Sequence, residues 1–203
     1  MTVAAIILAA GESTRMGRLK QLLPWGGTTL IAWQVAQMRE AGADEIVVVL
    51  GHAAEQIRPA VPEGVRVALN QAYKEGRATS LRYGAEAVSD DAEAVLILNI
   101  DQPRPSWVSR RVLQRWRETR APIVSPRFAG RSGHPVLISG TLLPELRNVE
   151  EVTLGLRAVM ERHAKEAAEV SISNANLDVD LNTQADYEAA LSAFESGTWS
   201  TES

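Results

Sequence analysis

The sequence predicts an α/β fold in three layers, a mainly parallel sheet with helices on both faces. Three observations lead there. Short apolar runs alternate with amphipathic stretches almost to the end of the chain. The runs are apolar at nearly every position, as strands buried on both faces are, and parallel strands need a helical crossover between neighbours. A loop containing glycines and basic residues follows the first run, and ligands of such sheets bind beyond the carboxyl ends of the strands, where chain order reverses.

Residues 3–8 form the first strand. Ile31, Val35 and Met38 then recur at i, i+4, i+7, the spacing of one helix face. Runs at 45–50, 65–69 and 94–98 supply further strands, and Leu81, Ala85 and Val88 repeat the helical spacing before the last of these. Val108, Val112 and Trp116 mark another helix face. The second half is less regular: 122–126 and 133–139 read as strands or loops, short helices lie near Leu142 and Leu154, and 168–173 reads as a strand. Tyr187, Leu191 and Phe194 give a last helix. No internal repeat and no Pro/Gly-rich linker divides the chain. Residues 1–194 therefore read as one domain, with the Ser/Thr-rich tail 195–203 expected to fray.

A length of 203 residues suits one domain with a sizeable core. Hydrophobic residues at 45% and charged residues at 23% are ordinary globular values. A formal net charge of −4 gives no footprint for nucleic acid, so any phosphate binding must be local. Without cysteine there is no thiolate nucleophile or disulfide framework, and the three histidines lack zinc-motif spacing. The first apolar run is too short to span a membrane and no basic region precedes it. The expectation is a soluble cytoplasmic protein with neither membrane nor nucleic acid as a partner.

Two familiar phosphate motifs are absent. Met16 and Gln21 break the P-loop pattern, and Ser13 stands where the dinucleotide fingerprint needs its second glycine. What is present runs from Ala9 and Ala10 through Gly11, Ser13, Arg15, Met16 and Gly17 to Lys20-Gln21-Leu22-Leu23-Pro24. Glycines let the backbone approach a ligand closely, and exposed N–H groups beside cationic side chains make an anion site. A strand-to-helix connection with solvated basic residues is the competing reading. The spacing A-A-G-x-S-x-R-M-G-x-x-K-Q-L-L-P resembles, over about a dozen residues in fixed register, the signature of the MobA-like nucleotidyltransferases. Within them it looks most like the molybdenum cofactor cytidylyltransferase branch. The resemblance implies the Rossmann-like nucleotide-diphosphosugar transferase fold. It also implies that this loop holds the triphosphate of an incoming nucleotide. Ala9, Ala10, Gly11, Gly17 and Lys20 would then contact the nucleotide, with Arg15 and Lys20 stabilising charge during catalysis.

Asn99-Ile100-Asp101-Gln102-Pro103 follows a buried strand, so Asp101 projects over the ligand face and Pro103 ends the strand. Hard oxygen donors suit Mg²⁺, although an Asn/Asp-rich turn accounts for the residues equally. The family carries a D-x-P element here with its aspartate as metal ligand; Ile100 stands where many relatives have a smaller residue. Asp178, Asp180 and Asn182 share one side of an extended segment before the last helix, where Thr183 also reads as a plain helix cap. The family's D-x-[DN]-T-P-E-D fits as Asp180-x-Asn182-Thr183 with Asp186, while Gln184 and Ala185 replace its proline and glutamate. By that likeness Asp180 is the second metal anchor.

Asn70, Gly76 and Ser80 match the family's N-x-x-[YW]-x-x-G-x-x-x-S, which implies contacts to base and ribose; ordinary capping by Ser80 is the alternative. Gly133-His134-Pro135 resembles the element that binds the second substrate, against the ordinary reading of a loop histidine. The resemblance thus implies transfer of CMP from CTP to the terminal phosphate of a molybdopterin-type cofactor. Mg²⁺ would be the cofactor, and a molybdoenzyme or its chaperone the receiving partner. GTP as donor, another small phosphate as acceptor, and a non-catalytic nucleotide- or cofactor-binding chaperone are the alternatives.

Overall fold

The computed structural model describes residues 1–128, 130–151, 155–174 and 177–199. β1 (Thr2–Leu8) leads into the glycine-containing loop, which contains single helical turns at Thr14–Met16 and Lys20–Leu22. A two-residue hairpin, β2 (Pro24–Trp25) and β3 (Thr28–Thr29), delivers the chain to α1 (Leu30–Ala41). The Thr29 hydroxyl accepts from the Ala32 N–H at 3.4 Å and starts that helix, and left-handed Gly42 ends it. β4 (Glu45–Leu50), α2 (Ala54–Ile57), β5 (Arg66–Leu69), α3 (Arg77–Ala87) and β6 (Ala92–Asn99) follow. Then come α4 (Ser106–Thr119), β7 (Ile123–Phe128), β8 (Arg131–Ser132), β9 (Val136–Ser139), α5 (Leu143–Arg147) and α6 (Leu156–Arg162). β10 (Ala168–Ile172) and α7 (Gln184–Glu195) complete the chain.

The main sheet has the order β10-β7-β9-β6-β1-β4-β5, with β8 paired to β7. β6, β1, β4 and β5 are parallel, as are β10 and β7, while β9 runs antiparallel to both neighbours. β1 shows why its sequence is apolar throughout. Val3, Ala5 and Ile7 enter a core shared with α1, α4 and α7, and Ala4 and Ile6 enter a second core shared with α3, α5 and α6. The expected three-layer fold is the one observed. Leu154, named above for a short helix, lies outside the described residues.

The described part of the tail, up to Trp199, departs from expectation. Trp199 is buried, its ring centroid 5.3 Å from that of Trp25, and its carbonyl accepts from Trp107 Nε1 at 3.1 Å. One large aromatic side chain thus anchors residues 195–199.

Chain order reverses at β1: β4 and β5 lie on one side of it, and β6 returns to the other. Leu8 pairs with Asn99, and the Ile100 N–H donates to the Leu8 carbonyl at 3.0 Å. The loops after β1 and β6 therefore leave the sheet side by side, at the switch point where α/β sheets bind ligands.

Candidate active site

Gly11, Ser13, Arg15 and Lys20 from the first loop, with Asp101 and Asn182, line a cavity of about 200 Å³ at the switch point. Lys20 Nζ donates to Asp101 Oδ2 at 3.3 Å with its side chain only 9% exposed, which holds a cation against the carboxylate. The loop is braced for this. Buried Gln21 donates its side-chain amide to the Ala9 carbonyl at 2.6 Å, and the Lys20 N–H donates to Ser13 Oγ at 3.4 Å. Arg15 Nη2 donates to Asn182 Oδ1 at 3.1 Å, tying the loop to the segment before α7. Ala9 and Ala10 are buried: the Ala9 N–H donates to the Val49 carbonyl at 2.9 Å, and the Ala10 carbonyl accepts from the His52 N–H at 3.1 Å. These two shape the loop. Left-handed Gly17 closes the Thr14–Met16 turn.

The second carboxylate arrives from the far end of the chain. The Leu181 N–H donates to the Asp101 carbonyl at 2.8 Å, and the Gln102 side-chain amide donates to Asp180 Oδ1. Thr183 and Asp186 form the reciprocal cap that starts α7, so capping and the approach of Asp180 come from one short segment. No cluster of three or more His, Cys, Asp or Glu suited to a metal occurs among the described residues. Asp101 lines the cavity, while Asp180 does not line it and is tied to this corner through Gln102. Hard carboxylate oxygens of this kind nevertheless fit Mg²⁺, which is commonly held by one or two carboxylates plus substrate phosphates and water.

Asn70 and Ser80 are turned inward. Asn70 is fully buried; its Nδ2 donates to Thr79 Oγ1 and Ser80 Oγ, each at 2.9 Å, and its Oδ1 accepts from the Ala72 N–H at 2.9 Å. Their polar groups brace the start of α3, where direct contact with base and ribose was expected. Gly76 precedes that helix at φ 124°, and a Cβ there would meet the Glu151 carboxyl carbon at 2.4 Å. Glu151 Oε2 accepts from the Ala78 N–H at 2.7 Å, so a carboxylate from the chain itself sits on the first turn of α3.

A second cavity, of about 380 Å³, lies beside the first, with Leu8, Leu81, Ile97, Val136 and Met160 among its apolar walls and Asn99 and His134 among its polar groups. Gly133 also lines it and packs so closely on Phe128 that a Cβ would fall 2.4 Å from the ring. The Asn99 amide nitrogen lies 3.4 Å from His134 Nε2, while Nδ1 is buried with no hydrogen-bond partner among the described residues. Burial first, then the positive charge of Arg104, pushes His134 down to about 4 from 6.5. The unfolded chain therefore takes up this proton first. The contribution to stability is complete above about pH 6.5 and drains away as pH falls towards 4, on the order of 3 kcal/mol in all. Urea titrations of His134→Gln at pH 7 and pH 4.5 should show a smaller loss of stability between the two than wild type. Equal losses would remove His134 as the source.

Residues 5–167 match the model of the MobA-like NTP transferase domain. The chain belongs to this family. Family members are nucleotidyltransferases. The bifunctional protein GlmU of Geobacter sulfurreducens is 40% identical over 104 residues, which cover 50% of this chain and 22% of that protein. The chain thus matches only about a fifth of that relative's length. Nicotine blue oxidoreductase of Paenarthrobacter nicotinovorans is 29% identical over 190 residues, covering 89% of this chain and 92% of that one. The crystal structure of Rv0371c from Mycobacterium tuberculosis superposes with a TM-score of 0.81 at 29% identity, over 95% of this chain and 98% of that one. A manganese complex of Rv0371c gives 0.76 at 28% identity, over 95% of this chain and 100% of that one.

The stretch matching this MobA-like family ends before Asp180 and Asn182, which join the site through contacts. Arg104 makes one of these joints and was not singled out from the sequence. It is 1% exposed, donates through Nη1 to the Pro103 carbonyl at 2.8 Å and the Val179 carbonyl at 3.3 Å, and stacks 5.1 Å from the Phe128 centroid. Burial lowers it to about 10 while Asp180, Asp178 and Asp101 pull the other way, so it remains a cation at neutral pH. Gln34 braces the same corner, donating to the Ile100 carbonyl at 2.7 Å. Among the described residues no helix is long and apolar enough to cross a membrane.

Proposed function

We propose that this chain transfers CMP from CTP to the terminal phosphate of a molybdopterin-type cofactor and releases pyrophosphate, in the cytoplasm, for delivery to a molybdoenzyme or its chaperone. The observation that carries nucleotidyl transfer is the meeting of the Lys20–Asp101 pair, Arg15 and Asn182 around one cavity, with a second cavity alongside. A donor triphosphate and an acceptor then have adjoining places. Cytidine and the pterin acceptor rest on the likeness of the A-A-G opening, Lys20-Gln21-Leu22-Leu23-Pro24 and Gly133-His134-Pro135 to the cytidylyl branch. The oxidoreductase name of one relative belongs to that protein; the cations and carboxylates of this site suit phosphoryl chemistry.

In this reading an acceptor phosphate oxygen attacks the α-phosphorus. A new P–O bond forms there as the bond to the β-phosphate's bridging oxygen breaks, and pyrophosphate leaves with the electron pair. No protein nucleophile takes part. Arg15 and Lys20 hold the triphosphate, arginine by a fork of hydrogen bonds and lysine as a point charge. Asp101 and Asp180 would hold Mg²⁺, which when bound supplies charge neutralisation at the α-phosphate and the leaving group. Alignment and fixed charge are what such a site contributes.

Purified protein incubated with Mg²⁺, each of the four NTPs in turn and candidate phosphorylated acceptors should release pyrophosphate with CTP and the molybdopterin-type cofactor. Release with GTP alone would move the assignment to a guanylyltransferase. Release with no pair would leave a binding protein.

A further inference from the structure

Arg77 borders both cavities: it lines the one that holds Lys20 and Asp101, and also the apolar one that holds His134. It is exposed at the first position of α3, and its guanidinium makes no ion pair or hydrogen bond among the described residues. The other cations at these cavities have polar partners. Lys20 is on Asp101, Arg15 is on Asn182, and Arg157 is on Glu161 at 2.8 Å. An unpaired guanidinium beside a pocket whose walls are mainly apolar is a receptor for an anion that arrives on an apolar body.

We propose that Arg77 receives the phosphate of the acceptor and selects for acceptors that are phosphomonoesters with a largely apolar, pocket-filling body. This rests on the transferase reading above and adds a residue to it. The phosphate of a molecule seated in the larger cavity would meet Arg77 at the border, facing the side where Lys20 and Asp101 lie. The acceptor oxygen would then stand next to the bound triphosphate, as in-line transfer requires. Arg15 and Lys20 already serve the triphosphate, which leaves Arg77 for the second anion. Of the other polar groups of this pocket, Asn99 and His134 are uncharged at neutral pH, Arg157 is paired with Glu161, and the Glu151 carboxylate accepts from the Ala78 N–H. Among the described residues Arg77 is therefore the lining cation left to receive an anion.

Phenyl phosphate is the minimal probe, with phenol as the control lacking the anion. Calorimetric titrations would use wild type, Arg77→Ala and Arg77→Lys, with Mg²⁺ and saturating α,β-methylene-CTP and again without nucleotide. Arg77→Ala should raise the Kd for phenyl phosphate about tenfold or more, and Arg77→Lys should recover part of the loss. The Kd for the methylene nucleotide should stay within about twofold, since the proposal leaves the triphosphate to other residues. An unchanged phenyl phosphate Kd in Arg77→Ala, no binding by wild type, or equal binding of phenol would overturn the proposal. So would a tenfold loss of nucleotide affinity in Arg77→Ala, which would assign the residue to the triphosphate. Failure of wild type to bind nucleotide with Mg²⁺ would count against the transferase reading. The titration without nucleotide still decides on Arg77 in that event.

Discussion

Asp101→Asn should lower kcat by about 10³-fold or more with the fold intact, because a carboxylate that holds a catalytic cation contributes several kcal/mol to transition-state stabilisation. The amide retains the size of the carboxylate, and its oxygen can still accept from Lys20 Nζ, now 3.3 Å from Oδ2. The bond from the Leu181 N–H to the residue 101 carbonyl, 2.8 Å long, involves only backbone and survives the change. The melting temperature should therefore move little. Asp101→Ala should lose as much activity but also leave the Lys20 ammonium without its partner, so Asn is the cleaner variant. Steady-state pyrophosphate release measures the effect. A kcat near that of wild type would sink the assignment of Asp101.

Several parts of this site were legible because the signal was local. A buried strand running into glycines and basic residues announces an anion loop whatever the rest of the chain does, and Asp101 stands just past a strand end for the same reason. The three layers were legible too, since β1 feeds two cores from alternate positions and so must be apolar throughout. The antiparallel direction of β9 was not. Val136-Leu137-Ile138, buried on both faces, has the composition a parallel strand would have, and direction comes from pairing with β6 and β7. Asn70 and Ser80 fit a nucleotide-contacting pattern in the sequence, while in the fold their polar groups meet each other across ten residues. Sequence shows that such groups need partners without showing which partners they find. Arg104 reads as a surface arginine between two prolines; its partners, the Val179 carbonyl and the Phe128 ring, are distant in sequence. Arg77 takes its significance from bordering two cavities, a property of the fold that its neighbours in sequence do not carry.

Lys20→Met should lower kcat/KM for the nucleotide by about 10²-fold or more, the scale of removing one preorganised charge from a transition state. A structural reading competes, because the Lys20–Asp101 pair, with side chains 9% and 23% exposed, also belongs to the resting fold. On that reading the variant would lose stability and little else. The cost in stability should be about 1–2 kcal/mol, between the values for exposed and buried pairs, since the Asp101 carboxylate left behind reaches solvent. A second measurement separates the readings. With nucleotide absent, Lys20 and a divalent ion compete for the same carboxylate, so removing the ammonium should tighten Mn²⁺ binding, followed by electron paramagnetic resonance of the free ion. Tighter metal binding together with slower turnover has no counterpart in a purely structural role. An unchanged kcat/KM would take Lys20 out of the mechanism and leave Arg15 as the proposed cation for the triphosphate.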